Sequence, residues 1–267
     1  MPTFEIIMKI KKIQHSLITD STISYGFFTR IGGKSVSPYD SLNCGFNSGD
    51  DKLNVIKNIE IVRRDLKLSK IIMLNQIHSS NIITIDHNKD NYDFHKADGM
   101  VTNLSGLGLS ILGADCAPIL FYDNISQTIG VCHAGWRGTI NNIVEITISK
   151  MEAIGAKRKR IIAIIGPAIQ KKSYEIGEDV AKIIKQFSFY EPSNDILYSI
   201  ENNKYLFDLP LLLKQSLKYS KIDQVGDTKL DTYQNNDLFF SHRRTTHESD
   251  LKESKTGRQI SVIGIIK

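Results

Sequence analysis

Two hydrophobic periods take turns along the chain. Over residues 52–68 (KLNVIKNIEIVRRDLKL), Val55, Ile59, Val62 and Leu66 recur at helical spacing, which predicts an amphipathic helix. The same period predicts helices over 139–154, where Ile140, Ile143, Val144, Ile146, Thr147 and Met151 recur, and over 174–187 (YEIGEDVAKIIKQF). A fourth is predicted over 207–220, opened by Asp208 with Pro210 near its first turn. Short runs bounded by turn residues read as strands: KIIML at 70–74, an alternating stretch NQIHSSNIITI at 75–85, then MVTN, LGLSILG, PILFYD, TIGVCHAG and the buried run IIAIIGP. A strand near LFFSHRR and a closing strand ISVIGII flank a polar loop at 245–257. The Gly-, Ser-, Asn- and Asp-rich segment 24–51 reads as ordered loop with short strands.

Strands and helices mix without strict alternation, and neither a repeat nor a low-complexity linker divides the chain. The expectation is a single domain over 1–267 of the α+β class, a mixed α/β sandwich and not a doubly wound sheet. With 41% hydrophobic and 24% charged residues, the chain can fill a substantial core, which excludes a disordered class.

A net charge of +5 implies weak attraction for anions. The basic residues are dispersed except in KIKK and KRKR (157–160), and without aromatic interleaving both clusters read as solvated faces, not nucleic-acid contacts. KRKR follows a predicted helix and suits its C-terminal dipole. Three cysteines make no disulfide framework, the first residues lack the apolar core of a signal peptide, and no apolar run is long enough to span a bilayer. These point to the cytoplasm and to no membrane partner.

Candidate chemistry concentrates in GADCAPILFYDNISQTIGVCHAGWRG, residues 113–138. PILFYD and TIGVCH suit a hairpin, and side chains alternate faces along a strand, so Cys132 and His133 point opposite ways. Cys132 reads as a small core residue. Cys116 lies where one strand ends in a turn and the next begins, a place that presents a thiolate, although a buried structural thiol is the commoner fate of a cysteine. His133 opens HAGWRGT, where glycines permit close backbone approach and a helix start beside Arg137 offers an anion site. His78 sits where a strand meets a polar loop. Together His78, Cys116 and His133 would give zinc three protein ligands and leave a fourth position open, as catalytic zinc requires. His87, His95, His242 and His247 lie in polar runs and read as solvated, while Arg30, Arg243 and Arg244 are cations available to an anionic substrate.

The ordered series FFTRIGGKSVSPYDSLN, GDD, NQIHSSN, ADGMVT, GADCAPILFYD, GVCHAGWRGT, IGPAI, YEIG, FDL, FFSHRR and TGR resembles the laccase-domain family, also called polyphenol oxidase-like proteins or peptidoglycan editing factors. The resemblance spans nearly the whole chain, and HAGWRG with ADC-x-P is its most specific part. It implies a layered fold similar to cysteine-hydrolase-like domains and a zinc site of His78, Cys116 and His133. It further implies purine nucleoside chemistry: phosphorolysis of adenosine, inosine, guanosine and methylthioadenosine, with adenosine deamination alongside. The expected partners are therefore purine nucleosides and phosphate, with Arg30, Arg137 and Arg243 as substrate or phosphate contacts.

Asp115 and Glu175 are the candidate proton carriers, and Asp115 serves equally well as a group orienting a histidine. A zinc-bound water with its pKa lowered towards ~7 suits attack at a purine C6, yet the usual zinc-deaminase signature is absent, so deamination would need another arrangement. One departure stands out: Asp231–Thr232 replaces a Cys-Thr pair common in relatives, which bears on substrate range. Seven histidines without an H-x-H pair argue against multicopper oxidation, so copper ranks below zinc. The rival enzyme reading makes Cys116 a nucleophile and His133 its base in an amidase acting on peptidoglycan precursors. A third reading is a metal-stabilised module without catalysis.

Overall fold

The computed structural model describes residues 10–86, 92–187, 190–191, 195–248 and 255–266. Elements are numbered along the chain. A five-stranded sheet runs β1 (Lys12–Ile13), β2 (Ile23–Phe28), β14 (Gln259–Ile265), β6 (Leu107–Gly113), β3 (Lys70–Ile72), antiparallel except for the β6–β3 pair. A six-stranded sheet runs β13 (Gln224–Asp227), β9 (Ile162–Ile165), β7 (Ala117–Asp123), β8 (Thr128–Ala134), β5 (Gly99–Thr102), β4 (Ile82–Thr84). Its centre is antiparallel and its two margins parallel. β10 (Glu175–Gly177), β12 (Lys204–Phe207) and β11 (Leu197–Ile200) form a small antiparallel sheet. The helices are α1 (Lys52–Asp65), α2 (Trp136–Ile140), α3 (Ile143–Ala153), α4 (Glu178–Lys185), α5 (Leu209–Tyr219) and α6 (His242–Glu248).

The two-residue period of the strands builds the layers. On β7, Leu120 and Tyr122 face the five-stranded sheet and meet Tyr25, Phe27, Leu109 and Ile111. Ile119 and Phe121 face the other way, onto Ile143, Val144, Ile148 and Met151 of α3 and Leu212, Leu213 and Leu217 of α5. The far side of the five-stranded sheet packs Phe28, Ile71, Ile260 and Val262 against Val62 and Leu66, at the end of α1. The result is a helix–sheet–sheet–helix sandwich. With both faces covered, central strands read as unbroken apolar runs, and each fully buried Leu, Ile or Phe contributes about 1.5–3 kcal/mol.

The helix opening predicted at Asp208 is present: it accepts from Leu211 N at 2.9 Å, with Pro210 in the first turn of α5, and Asp51 likewise caps α1 by accepting from Leu53 N at 2.7 Å. Other expectations need correction. The helix predicted over 139–154 begins earlier, at Trp136, and is broken at Asn141–Asn142, where Asn142 takes φ 61°. Its first piece has five residues, too short to contribute the helix-terminus anion site expected beside Arg137. YEIG is strand β10 before α4 begins at Glu178. Of the alternating stretch 75–85 only Ile82–Thr84 is strand. The strand expected near LFFSHRR is absent: 238–241 form no strand, and His242 starts α6.

KRKR is a solvated face only at Lys157 and Lys159. Arg158 bridges Glu145 and Glu152 of α3, and Arg160 binds the fully buried carboxylate of Asp123 at 2.8 Å, so only Lys159 keeps an exposed pair. Asp123 also accepts from Ile125 N and Lys157 N, which fixes the β7–β8 hairpin. Among the described residues, no helix is long and apolar enough to cross a membrane. All three cysteines are free.

Candidate active site

The site grows from three chain segments that the sandwich brings to one edge. The first is the turn between β6 and β7, where Asp115 adopts φ 93° and leaves Cys116 half-buried at the head of β7. The second is the end of β8, which carries His133. The strand alternation holds: Cys132 is fully buried in the helix-side core, and its neighbour His133 is directed to the site. The third is loop 75–81, in which His78 takes φ 57°. Gln76 ties that loop to β6 by donating to Leu112 O and accepting from Leu112 N, both at 2.8 Å.

One ligand atom each from His78, Cys116 and His133 lies within 4.8 Å of the others, and the two imidazoles stand edge to face with centroids 4.9 Å apart. Gly135 makes this approach possible, because a Cβ there would sit 2.8 Å from Cys116 Sγ. Two imidazole nitrogens and a thiolate are a zinc-type donor set, so the residues present fit a metal ion.

Asp98, at the entry to β5, organises the histidines. Its carboxylate is fully buried and accepts from His133 Nδ1 at 3.0 Å, His78 N at 3.0 Å, Ile77 N at 3.1 Å, and Ser79 N and Oγ at 2.6 and 2.8 Å. With Nδ1 engaged, His133 keeps Nε2 for the cluster. Burial opposes the charge on Asp98, but the hydrogen bonds from His133 and Ser79 prevail and hold its carboxyl down to about 2. Burial likewise opposes charge on Cys116 and His133. Their mutual attraction wins, helped by His78 at the thiol and by Asp98 at the imidazole: the thiol falls to about 6 and the imidazole rises to about 9.

The cluster opens into a cavity of about 710 Å³. Arg137, Arg243 and Arg258 line it, together with the aromatic rings of Phe46, Phe94, Trp136 and Tyr174. Asp115 also faces the cavity, but its two oxygens accept from Thr232 Oγ1 and Arg243 N, both at 2.7 Å. The histidine-orienting role expected of Asp115 falls instead to Asp98. Glu175 gives only its carbonyl to Arg243, and its carboxylate pairs with Lys204. Arg30 does not line the cavity: it is held by the carbonyls of Asp40 and Asn236 and stacks on Phe240. Arg244 is buried against the carbonyls of Thr232, Tyr233 and Phe239. Asp231, at the departure from the Cys-Thr pair, accepts from Ser173 Oγ, and its neighbour Thr232 reaches Asp115.

His242 is exposed, as its polar run suggested, and it also lines the cavity. His95 and His247 are exposed as expected, and His87 lies outside the described residues. Asp98, Arg258 and Tyr174 were not singled out from the sequence. ADG, TGR and YEIG held them in plain view, but nothing in the spacing tied an aspartate at 98 to histidines at 78 and 133.

The family model described as multi-copper polyphenol oxidoreductase laccase matches residues 24–266. The chain belongs to this family. Within reach of it are proteins named purine nucleoside phosphorylase from Corynebacterium glutamicum, 35% identical over 244 residues with 90% of this chain and 94% of the relative covered, and from Rickettsia prowazekii, 34% identical over 233 residues with 86% and 92% covered. Among solved structures, YfiH from Bacillus licheniformis, titled a hypothetical protein, superposes with a TM-score of 0.83 at 30% identity, covering 92% of this chain and 93% of its own. YlmD from Geobacillus stearothermophilus gives 0.84 at 25% identity with the same coverage. The sandwich architecture is thus a family property.

Proposed function

We propose that the cavity is the active site of a zinc-dependent purine nucleoside phosphorylase. The observation that carries this reading is one cavity holding a three-ligand metal cluster beside three arginines, none of which pairs with a carboxylate among the described residues. Relatives that share over 30% identity along most of the chain carry the phosphorylase name. His78, Cys116 and His133 would hold the ion. Zinc bound there would supply Lewis-acid charge to an electron-rich substrate atom.

The chain's own groups account for the rest. Arginine forks match phosphate oxygens and keep their charge at all working pH values, so they hold the attacking anion. The rings of Trp136, Tyr174, Phe46 and Phe94 offer flat apolar surface to a purine and exclude water around the glycosidic bond. Asp115 fixes the main chain of Arg243 and so aims one of the forks.

Copper polyphenol oxidation fits the residues less well. Among the described residues only one group of three or more His, Cys, Asp and Glu side chains converges, whereas a multicopper centre needs further paired histidines. The thiolate–imidazolium pair of Cys116 and His133 favours, as a second reading, a Cys–His amidase. His78 weighs against it, since a nucleophile and its base need no second imidazole beside them.

Metal-loaded protein incubated with adenosine separates these readings. Adenine and ribose 1-phosphate, formed only when phosphate is present, are expected. Inosine formed without phosphate would add adenosine deamination to the same pocket. No release of purine base in the presence of phosphate overturns the phosphorylase reading.

A further inference from the structure

Three arginines line the cavity, but their surroundings differ. Arg137 lies 4.5 Å over the ring of its neighbour Trp136. Arg258 and Arg243 are fixed by main-chain carbonyls through one terminal nitrogen each, and Arg243 also lies 5.2 Å over the ring of Tyr174. Arg258 Nη1 donates to Thr256 O and Gly257 O at 2.9 Å, and Arg243 Nη1 donates to Glu175 O at 2.6 Å. Carbonyls orient a guanidinium without neutralising it. Among the described residues neither group has a carboxylate ion-pair partner, and neither guanidinium makes a further hydrogen bond to protein.

The stem of Arg258 is fixed as well. Its main-chain N donates to Asn43 Oδ1 and its O accepts from Cys44 N, while its Cγ packs where a Cβ on Gly45 would come to 2.9 Å. His242 stands within electrostatic reach of both arginines, and Arg258 within reach of Cys116 and Asp115. Among the described residues Asp115 is the only carboxylate side chain on the cavity wall, and its oxygens are already engaged by Thr232 and Arg243 N. Two partly buried guanidinium groups held in place by carbonyls on a cavity wall keep N–H donors free for a bound anion.

We propose that Arg258, Arg243 and His242 form a subsite for a tetrahedral phosphate oxyanion, placed beside the His78–Cys116–His133 cluster. The subsite goes beyond the residues that the sequence suggested, since it uses Arg258 and His242. Its assignment to the attacking phosphate rests on the phosphorylase reading, whereas its existence does not. The two guanidinium groups supply forked N–H donors to neighbouring oxygens, and the imidazole, which burial and the two arginines keep below its ordinary pKa, bonds to a protonated phosphate oxygen.

The test uses the zinc-loaded full chain in a buffer free of phosphate. Inorganic phosphate and adenosine 5′-monophosphate are titrated calorimetrically into wild type, Arg258→Met, Arg243→Met and Arg258→Lys, with zinc content and melting temperature as controls on folding. Loss of one forked, charge-assisted contact is expected to weaken inorganic phosphate binding about 10- to 100-fold in either Met variant, and less in Arg258→Lys. In turnover, KM for phosphate rises by that factor while KM for adenosine stays within about threefold, because a purely structural defect would move both. Arg258-dependent binding of the monophosphate but not of inorganic phosphate keeps the subsite and assigns it to a substrate's own phosphate ester. Phosphate binding that depends on Arg258, with no base released from adenosine, keeps the subsite and removes the phosphorylase reading. Failure of wild type to bind either anion, or binding that Arg243→Met and Arg258→Met both leave unchanged, overturns the subsite.

Discussion

Replacing Asp98 by Asn keeps the shape of the side chain and removes its charge, which makes it an informative change in the site. Oδ1 accepts from His78 N and His133 Nδ1, while Oδ2 accepts from Ile77 N, Ser79 N and Ser79 Oγ. Either orientation of an amide therefore sets an NH2 against at least one backbone N–H. In the Oδ1 position it also meets His133, which can answer only by moving its proton from Nδ1 to Nε2, away from ligand duty. Groups that orient a metal-bound histidine are worth about 10- to 100-fold in metal affinity, or about 1.4–2.7 kcal/mol. Zinc competition against a chromophoric chelator, on wild type and Asp98→Asn at one pH, measures this directly. The apo proteins are melted in parallel, and Asp98→Glu tests whether charge without the right reach suffices. The reasoning is refuted if Asp98→Asn binds zinc within about threefold of wild type while His133→Ala loses it.

Further outcomes follow from other parts of the site and core. Near pH 7.5 Cys116 is already a thiolate and His133 still an imidazolium, so zinc binding must expel the His133 proton. Affinity should rise about tenfold per pH unit from 7 and level off above about 9, and calorimetry in buffers of different ionisation enthalpy should count that proton; a pH-independent affinity contradicts the pair. Gly135→Ala should lose most of its zinc because the new methyl displaces Cys116 Sγ, a result read from metal content at unchanged far-ultraviolet circular dichroism. Cys132→Ala should keep full zinc content and lose about 1 kcal/mol of stability, whereas Cys116→Ala should lose the zinc. Asp123→Asn, which strands Arg160 and the hairpin amides, should destabilise by about 3 kcal/mol and lower Tm by about 6–12 °C, with the metal unaffected.

What could be read from residues alone followed the range of each interaction. Helix α1, the cap at Asp208 and the β7–β8 hairpin are local, and their periods and turn residues announced them. So did the opposite orientation of Cys132 and His133. The break at Asn141–Asn142 was hidden because the apolar spacing continues through it, although two adjacent asparagines are a local signal for a left-handed turn. LFFSHRR has the apolar content of a strand, but its backbone serves other purposes. Phe239 O and Ser241 O accept from Arg244 and Thr245, and Phe240 pairs with the side chain of Gln259. Asp98 reaches its side-chain partners across 19 to 35 residues and Arg258 reaches Asn43 across 215, contacts that no local pattern encodes. Residue chemistry and the family resemblance both singled out His78, Cys116 and His133 as candidate ligands, whereas their support by Asp98 became visible only with the sheets assembled.

β14 lies between β2 and β6 in the five-stranded sheet, and Ile265 pairs with Ile23. On the ribosome this order imposes a wait. At about 5–20 residues per second, the roughly 240 residues between these partners take about 12–50 s to emerge. For that time ISYGFF has no strand on its β14 side, an apolar edge open to other nascent chains. Arg258 immediately precedes β14, so the cavity gains that cation only as the sheet closes. A chain stalled before this point would carry His78, Cys116 and His133 but not Arg258, so the cavity wall is completed by the last strand to emerge.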